Sequence, residues 1–205
     1  MKLTVIDNYD SFVYNIVRYL KELGCEVHIM RNDLIDYEII QLCDGIVLSP
    51  GPGIPEEAGE LLKVIQDFYL SKPILGICLG HQALGSFFGA HLKQAEEIIH
   101  GRTSLMRVIN SDPIFDGLES ILQVGRYHSW ILENELSDVL IKTGEGPNDE
   151  VLSFRHQSLP IVGLQFHPES ILTPKGRKMI SNWLDFYVRS KKLTPNYLTH
   201  EIHIN

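Results

Sequence analysis

The sequence predicts an α/β fold, an open and mostly parallel sheet with helices on both faces and a mixed or antiparallel extension. Short apolar runs at residues 3–6, 26–30, 45–48 and 74–77 alternate with segments whose apolar residues recur at helical spacing. Such alternation means parallel strands joined by right-handed helical crossovers. After Gly89 the pattern changes to one strand-like run after another, with little helix between them. At 205 residues and 44% hydrophobic content, the chain is long enough for one sizeable α/β domain. Residues 1–192 read as that single domain, and Leu193 to Asn205 as a C-terminal tail.

The first buried-strand pattern, 3–6, ends at Asp7-Asn8-Tyr9-Asp10-Ser11-Phe12. Phe12, Ile16, Tyr19, Leu20 and Leu23 then mark one face of a helix, with Asp10 or Ser11 as its N-cap. Gly24 ends that helix. Residues 26–30 read as a second strand and 33–42 as a short helix before the third strand, 45–48. The loop Ser49-Pro50-Gly51-Pro52-Gly53-Ile54-Pro55 is stiffened by its prolines, while its glycines keep unusual dihedrals open. It reads either as a loop that aims a backbone N–H or as an ordinary turn before a helix over 57–70. In that helix Leu61, Leu62, Ile65, Phe68 and Tyr69 form a core-facing stripe. The fourth strand, 74–77, starts after Pro73, and Ala83, Leu84, Phe87 and Phe88 follow it at helical spacing. Five more strands are predicted over 104–109, 122–126, 139–143, 151–154 and 161–166, with the polar stretch 143–150 as a hairpin turn. A final helix runs from about 174 to 189 on Met179, Trp183, Phe186 and Tyr187. Arg189, Lys191 and Lys192 complement its dipole.

Composition narrows the function. A formal charge of -8 argues against nucleic acid or an anionic membrane as partner, since both are bound chiefly through excess Lys and Arg. The three cysteines, Cys25, Cys43 and Cys78, are odd in number and widely spaced. They suggest neither a disulfide framework nor a zinc knuckle, and a reducing cytoplasm fits. The N-terminal apolar run is too short for a signal peptide, and no apolar run reaches the roughly 18 residues of a membrane span.

Cys78 sits where the fourth strand meets its helix, flanked by Gly76 and Gly80 in a G-x-C-x-G pattern. This is the thiol counterpart of a nucleophile elbow, in which small neighbours let the chain turn tightly and leave the reactive atom exposed. A free thiol has a pKa of about 8.5, which a helix N-terminus and a nearby imidazolium both lower. Taken alone, Cys78 is as readily a small buried core residue. The strand over 161–166 ends in His167-Pro168-Glu169-Ser170, which puts a histidine and a carboxylate at a strand terminus. A thiol nucleophile needs a base, and the base needs a group to hold its tautomer. His167 and Glu169 can fill those roles. They can also be a surface turn with a helix cap, and a metal at His167 is conceivable, though no His pair or Cys pair completes a tetrahedral set.

Asp7-Asn8-Tyr9-Asp10-Ser11-Phe12, Ser49-Pro50-Gly51-Pro52-Gly53, Gly76-Ile77-Cys78-Leu79-Gly80-His81-Gln82, His100-Gly101-Arg102, Arg126-Tyr127-His128-Ser129 and Gln165-Phe166-His167-Pro168-Glu169-Ser170 follow one another along the chain. Together they resemble the triad-type (class I) glutamine amidotransferases, and within them the glutaminase subunits of anthranilate synthase and aminodeoxychorismate synthase. The resemblance covers roughly the first 190 residues and implies a flavodoxin-like sheet. Arg102 stands where the family usually has lysine, and Trp130 where leucine is frequent.

The resemblance implies that Cys78 attacks the side-chain amide of L-glutamine while backbone N–H groups of Leu79 and Gly53 hold the oxyanion. His167 would shuttle the proton and Glu169 would orient it. Gly51, Pro52 and Gly53, with Gln82, Ser129 and Trp130, would hold the substrate. Ammonia would pass to a chorismate-using synthase, making this one component of a heteromer in tryptophan or folate synthesis. The chain itself would need no cofactor and no metal, and any magnesium requirement would belong to the synthase partner. Two other readings stand beside this one, a stand-alone cysteine hydrolase of γ-glutamyl compounds and a non-catalytic regulatory module on the same fold.

Overall fold

The computed structural model describes residues 1–190, and of residues 96–100 the backbone alone. The tail from Leu193 and the Lys191 and Lys192 charges lie outside the described residues. The elements are β1 (Lys2–Asp7), α1 (Val13–Glu22), β2 (Glu26–Arg31), α2 (Tyr37–Leu42), β3 (Gly45–Leu48), α3 (Leu61–Phe68), β4 (Ile74–Ile77) and α4 (Leu79–Phe87). β5 (Leu92–Val108), β6 (Ile121–Leu132), β7 (Leu140–Glu145), β8 (Val151–His156), β9 (Ile161–Leu164) and α5 (Gly176–Trp183) follow. All strands join one nine-stranded sheet in the order β2-β1-β3-β4-β9-β8-β7-β5-β6. The first five in that order pair in parallel, and β8, β7, β5 and β6 extend the sheet antiparallel.

The inner parallel strands β3, β4 and β9 are buried on both faces, which is why they read as continuous apolar runs. On one face Leu3, Val5, Leu75, Ile77, Val162 and Leu164 pack against Ile16 and Leu20 of α1 and Met179, Ile180 and Trp183 of α5. On the other, Ile6, Ile46, Leu48 and Ile74 meet Leu61, Val64, Ile65 and Phe68 of α3 and Ala83 and Leu84 of α4. Each fully buried side chain of this size contributes about 1.5–3 kcal/mol of transfer free energy. Ligands gather beyond the carboxyl ends of such strands. At that edge lie Asp7, Ser49, Cys78 and, past β9, His167.

The structure revises several sequence expectations. Helix α1 begins at Val13, with Phe12 rather than Asp10 or Ser11 at its N-cap, and no side chain caps it. Asp10 Oδ2 accepts the Phe12 N–H at 3.0 Å, so it closes the turn one step earlier and leaves the Phe12 ring 46% exposed. The helix expected over 33–42 shrinks to Tyr37–Leu42 because Asp36 caps it, accepting from the N–H groups of Glu38 and Ile39. That over 57–70 becomes a short 3₁₀ turn, Pro55–Glu57, and then α3. Strands β5 and β6 are much longer than the 104–109 and 122–126 runs, since they form one bulged antiparallel ribbon with register shifts near Gln94 and Arg102. Ribbon pairing extends a strand through polar residues that carry no apolar signal. The final helix turns π-helical over Leu184–Arg189. The expected hairpin between β7 and β8 is present.

Candidate active site

Between β4 and α4 stands a single residue, Cys78. Its φ of 52° and ψ of -102° put a non-glycine residue in a left-handed, strained conformation. The flanking glycines make the turn possible. A Cβ on Gly76 would lie 2.4 Å from the Gly80 carbonyl oxygen, and a Cβ on Gly80 would lie 2.4 Å from that of Leu48. The elbow is pinned by Cys78 N–H donating to Leu164 O at 2.8 Å and Gln82 N–H to Cys78 O at 3.0 Å. Cys78 as a whole is 5% exposed, and its sulfur lies within reach of the Gln165 side chain. Leu79 opens α4, where a backbone N–H has no carbonyl within the helix to bond. The 49–53 loop packs beside it: a Cβ on Gly51 would meet Asn8 and the Leu79 side chain, and Gly53 takes φ +75°.

β9 is the parallel neighbour of β4, with Ile77 opposite Leu164, so the chain leaving β9 passes Cys78. His167 and Glu169 are buried there, and Nδ1 lies 2.6 Å from Oε1 of Glu169. That bond sets Nδ1–H as donor and leaves Nε2 free to act. Nε2 is buried and makes no hydrogen bond of ordinary geometry. Burial opposes a charge on the ring, yet the Cys78 sulfur beside it and then the Glu169 carboxylate outweigh burial, holding its pKa well above the usual histidine range. The backbone of His167 is tied on both sides: its N–H donates to Gly125 O at 3.0 Å, and its carbonyl accepts from Thr173 Oγ1 at 2.7 Å. Pro168 is held by Gly176, the first residue of α5, where a Cβ would come within 1.8 Å of the Pro168 carbonyl oxygen.

Two other histidines nearby are disfavoured as cations. Burial pushes His81 down to about 3, and its ring packs on Phe154 at 4.7 Å. Burial and then the Arg126 charge push His128 to about 3, and its Nε2 accepts from Arg126 Nε at 3.1 Å. Arg126 also pairs with Glu150, anchoring β6. Among the described residues no group of three or more His, Cys, Asp or Glu has metal-holding geometry. The His100 side chain lies outside the described residues.

Of the residues expected to bind substrate, Gln82 and Trp130 meet, Gln82 Nε2 donating to the Trp130 carbonyl at 2.8 Å. Ser129 lies on the same stretch of β6, half-buried. Four residues escape the sequence pattern. Gln165 reaches the sulfur, Thr173 and Gly176 fix the His167 segment, and Asp10 lies close enough to the triad for its charges to act on it. Burial and then the Glu169 charge push the Asp10 carboxyl up to about 6. Gln165 was findable, because it stands only two residues before His167 in the same short segment that leaves β9. A cleft of about 430 Å³ opens from His167 and Glu169 past Tyr127, Phe12 and Ile171 onto the α1 side.

An elbow cysteine facing a His–Glu pair on a mixed α/β sheet defines an amidotransferase-type thiol site, and the chain belongs to the class-I glutamine amidotransferase family, whose model matches residues 4–186. It is 45% identical over 192 residues to anthranilate synthase component 2 of Pseudomonas putida, covering 90% of this chain and 96% of that one. It is 43% identical to the aminodeoxychorismate/anthranilate synthase component 2 of Bacillus subtilis, over 90% of this chain and 96% of the relative. It spans only 34% of the bifunctional protein TrpGD of Thermotoga maritima, at 44% identity over 94% of this chain. Among solved structures, a candidate GMP synthase component from Thermoplasma acidophilum superposes with a TM-score of 0.86 at 32% identity, covering 96% of this chain and 98% of that one. No helix among the described residues is long and apolar enough to cross a membrane.

Proposed function

We propose that this chain is a single-domain glutaminase subunit that hydrolyses L-glutamine through a thioester on Cys78. It delivers the ammonia to a chorismate-using synthase, giving anthranilate, aminodeoxychorismate or both. The observation that carries the reading is the meeting of strained Cys78 with the His167–Glu169 pair across adjacent parallel strands. The component 2 names of its relatives support the chorismate acceptor.

In the reaction the Cys78 proton goes to His167 and the sulfur attacks the amide carbon. Charge developing on the amide oxygen is met by the N–H groups of Leu79 and Gly53. His167 then protonates the nitrogen, the C–N bond breaks and ammonia leaves. Water gives its proton to His167 and attacks the thioester, glutamate departs and the thiol is restored. Gly51, Pro52, Gly53, Ser129, Trp130 and Gln82 hold the glutamine. The Gln82 N–H groups are taken by Trp130 and Gln165, so its Oε1 is the atom left for substrate.

No cofactor enters this chemistry, and a reducing cytoplasm suits a reaction that depends on a free thiol. Ammonia released into water is protonated and lost as a nucleophile, so it must pass directly to an acceptor. The cleft from His167 toward exposed Phe12 and Ile171, with the β1–α1 turn and the 49–55 loop, forms the edge on which the synthase docks.

The test is to isolate the protein with its cellular partner, supply glutamine and chorismate, and identify the product. Anthranilate, aminodeoxychorismate or 4-aminobenzoate is expected. Rapid glutamine hydrolysis by the lone chain, with no chorismate aminated, overturns the partner and favours a stand-alone hydrolase.

A further inference from the structure

The geometry points to Gln165 as a residue that acts on the reacting sulfur, its carboxamide aimed at Cys78 by a relay that starts at the Trp130 carbonyl. The inference rests on Cys78 being the nucleophile. Gln165 is fully buried two residues before His167, and its Nε2 lies 3.8 Å from Cys78 Sγ. Its Oε1 accepts from Gln82 Nε2 at 3.2 Å, and the same Nε2 donates to the Trp130 carbonyl at 2.8 Å.

The relay decides which end of each amide faces which neighbour. A backbone carbonyl can only accept, so Gln82 must turn its NH₂ toward Trp130. The second hydrogen of that NH₂ then requires an acceptor, which turns Gln165 Oε1 toward Gln82 and its N–H groups toward the sulfur. Rotating either amide by half a turn would set donor against donor, or carbonyl against carbonyl, in a buried space where an unmade hydrogen bond is costly.

A thiolate forming in so closed a site needs donors, and a hydrogen bond to a charged acceptor is stronger than a neutral one. Gln165 supplies such a bond without a titrating proton, so it favours the thiolate without competing with His167. The ionisable groups facing the sulfur and its partner come from every element packed there. They are His167 and Glu169 beyond β9, Asp10 in the β1–α1 turn and His128 on β6, which in turn faces Arg126 on β6 and His81 on α4. His81 and His128 are neutral across the working range.

The experiment is the pH profile of Cys78 alkylation by iodoacetamide on the full chain, followed by peptide mass and needing neither partner nor glutamine. Gln165→Met keeps the size and removes the donor, and should raise the profile's midpoint by about one pH unit, slowing alkylation roughly tenfold below it. Gln165→Glu sets an acceptor against the sulfur and should raise it further. Gln82→Met leaves the Gln165 amide present but unaimed, and should move the midpoint the same way by less. Unmoved midpoints in variants that melt like wild type overturn the role of Gln165. If Gln165→Met does not fold, the Gln82→Met profile decides alone. Wild-type Cys78 that reacts no faster than free cysteine overturns the nucleophile reading and this inference with it, whereas a reactive wild type with unmoved variants overturns the inference only.

Discussion

Removing the charge from Glu169 measures how much of the chemistry of His167 depends on it. The two groups are buried and 2.6 Å apart, and the carboxylate is one of the causes that hold the imidazole's pKa high. A hydrogen bond to a charged group contributes about 1.5–3 kcal/mol, against about 1 for a neutral pair. Glu169→Gln keeps the shape and an acceptor, and so should forfeit roughly 1–2 kcal/mol, which is roughly five- to thirtyfold in kcat/KM. Glu169→Ala also strands a buried Nδ1, adding about 1–3 kcal/mol. Its loss should be on the order of 10²–10³-fold. Glutamate release by the complex with its synthase is the assay, with melting curves from pH 5 to 9. The raised pKa of His167 gives stability that is complete below the unfolded value of about 6.5 and lost as pH rises through the folded value. Glu169→Gln lowers the folded value, so the melting advantage of wild type should be greatest near pH 6 and shrink toward alkaline pH. Glu169→Ala activity within threefold of wild type would refute the positioning argument.

Two further substitutions probe the supports of the site. In Gly176→Ala the new Cβ, 1.8 Å from the Pro168 oxygen, must displace the His-Pro-Glu loop or the start of α5. We expect about 1–3 kcal/mol of lost stability, a melting point several degrees lower, and a more than tenfold fall in glutaminase activity. Wild-type melting and activity would show that the loop yields freely. In Asp10→Asn the sign runs the other way from a salt-bridged carboxylate. The folded pKa of about 6 lies above the unfolded value, so ionising Asp10 destabilises the fold as pH rises from about 4 through 6. After discounting for its partial exposure, the Asn variant should be about 1 kcal/mol more stable at pH 7–8 and equal to wild type below about pH 4. Denaturant titrations at both pH values check this, and an Asn variant no more stable at pH 8 than wild type would sink it.

The strand-helix alternation, the elbow and the His-x-Glu pair were legible in the sequence because each is local. An apolar run bounded by Pro73, glycines on either side of Cys78 and a strand ending near His167 state their own geometry. So did the sheet class, since four short buried strands separated by helical segments admit few arrangements. The long β5–β6 ribbon was not legible, because its pairing passes through polar residues such as exposed Arg102 and through buried Arg126, whose burial depends on partners distant in sequence. Asp10 read as a helix cap because the local rule for caps fits it, and only its burial and then its approach to Glu169 in the folded chain give it a raised pKa.

By itself, then, the sequence determined the class of fold, and it singled out Cys78, His167 and Glu169 as the residues proposed for nucleophile, base and orienting carboxylate, since both follow from residue type and short-range spacing. The tertiary structure alone decided that β9 lies beside β4, bringing His167 to Cys78 across 89 positions of chain. It also decided that Gln165, Gln82 and Trp130 form one directed chain of hydrogen bonds. The physical reason is that strand order and the direction of a buried amide are set by long-range packing and by the need to pair every donor with an acceptor, which no local pattern records.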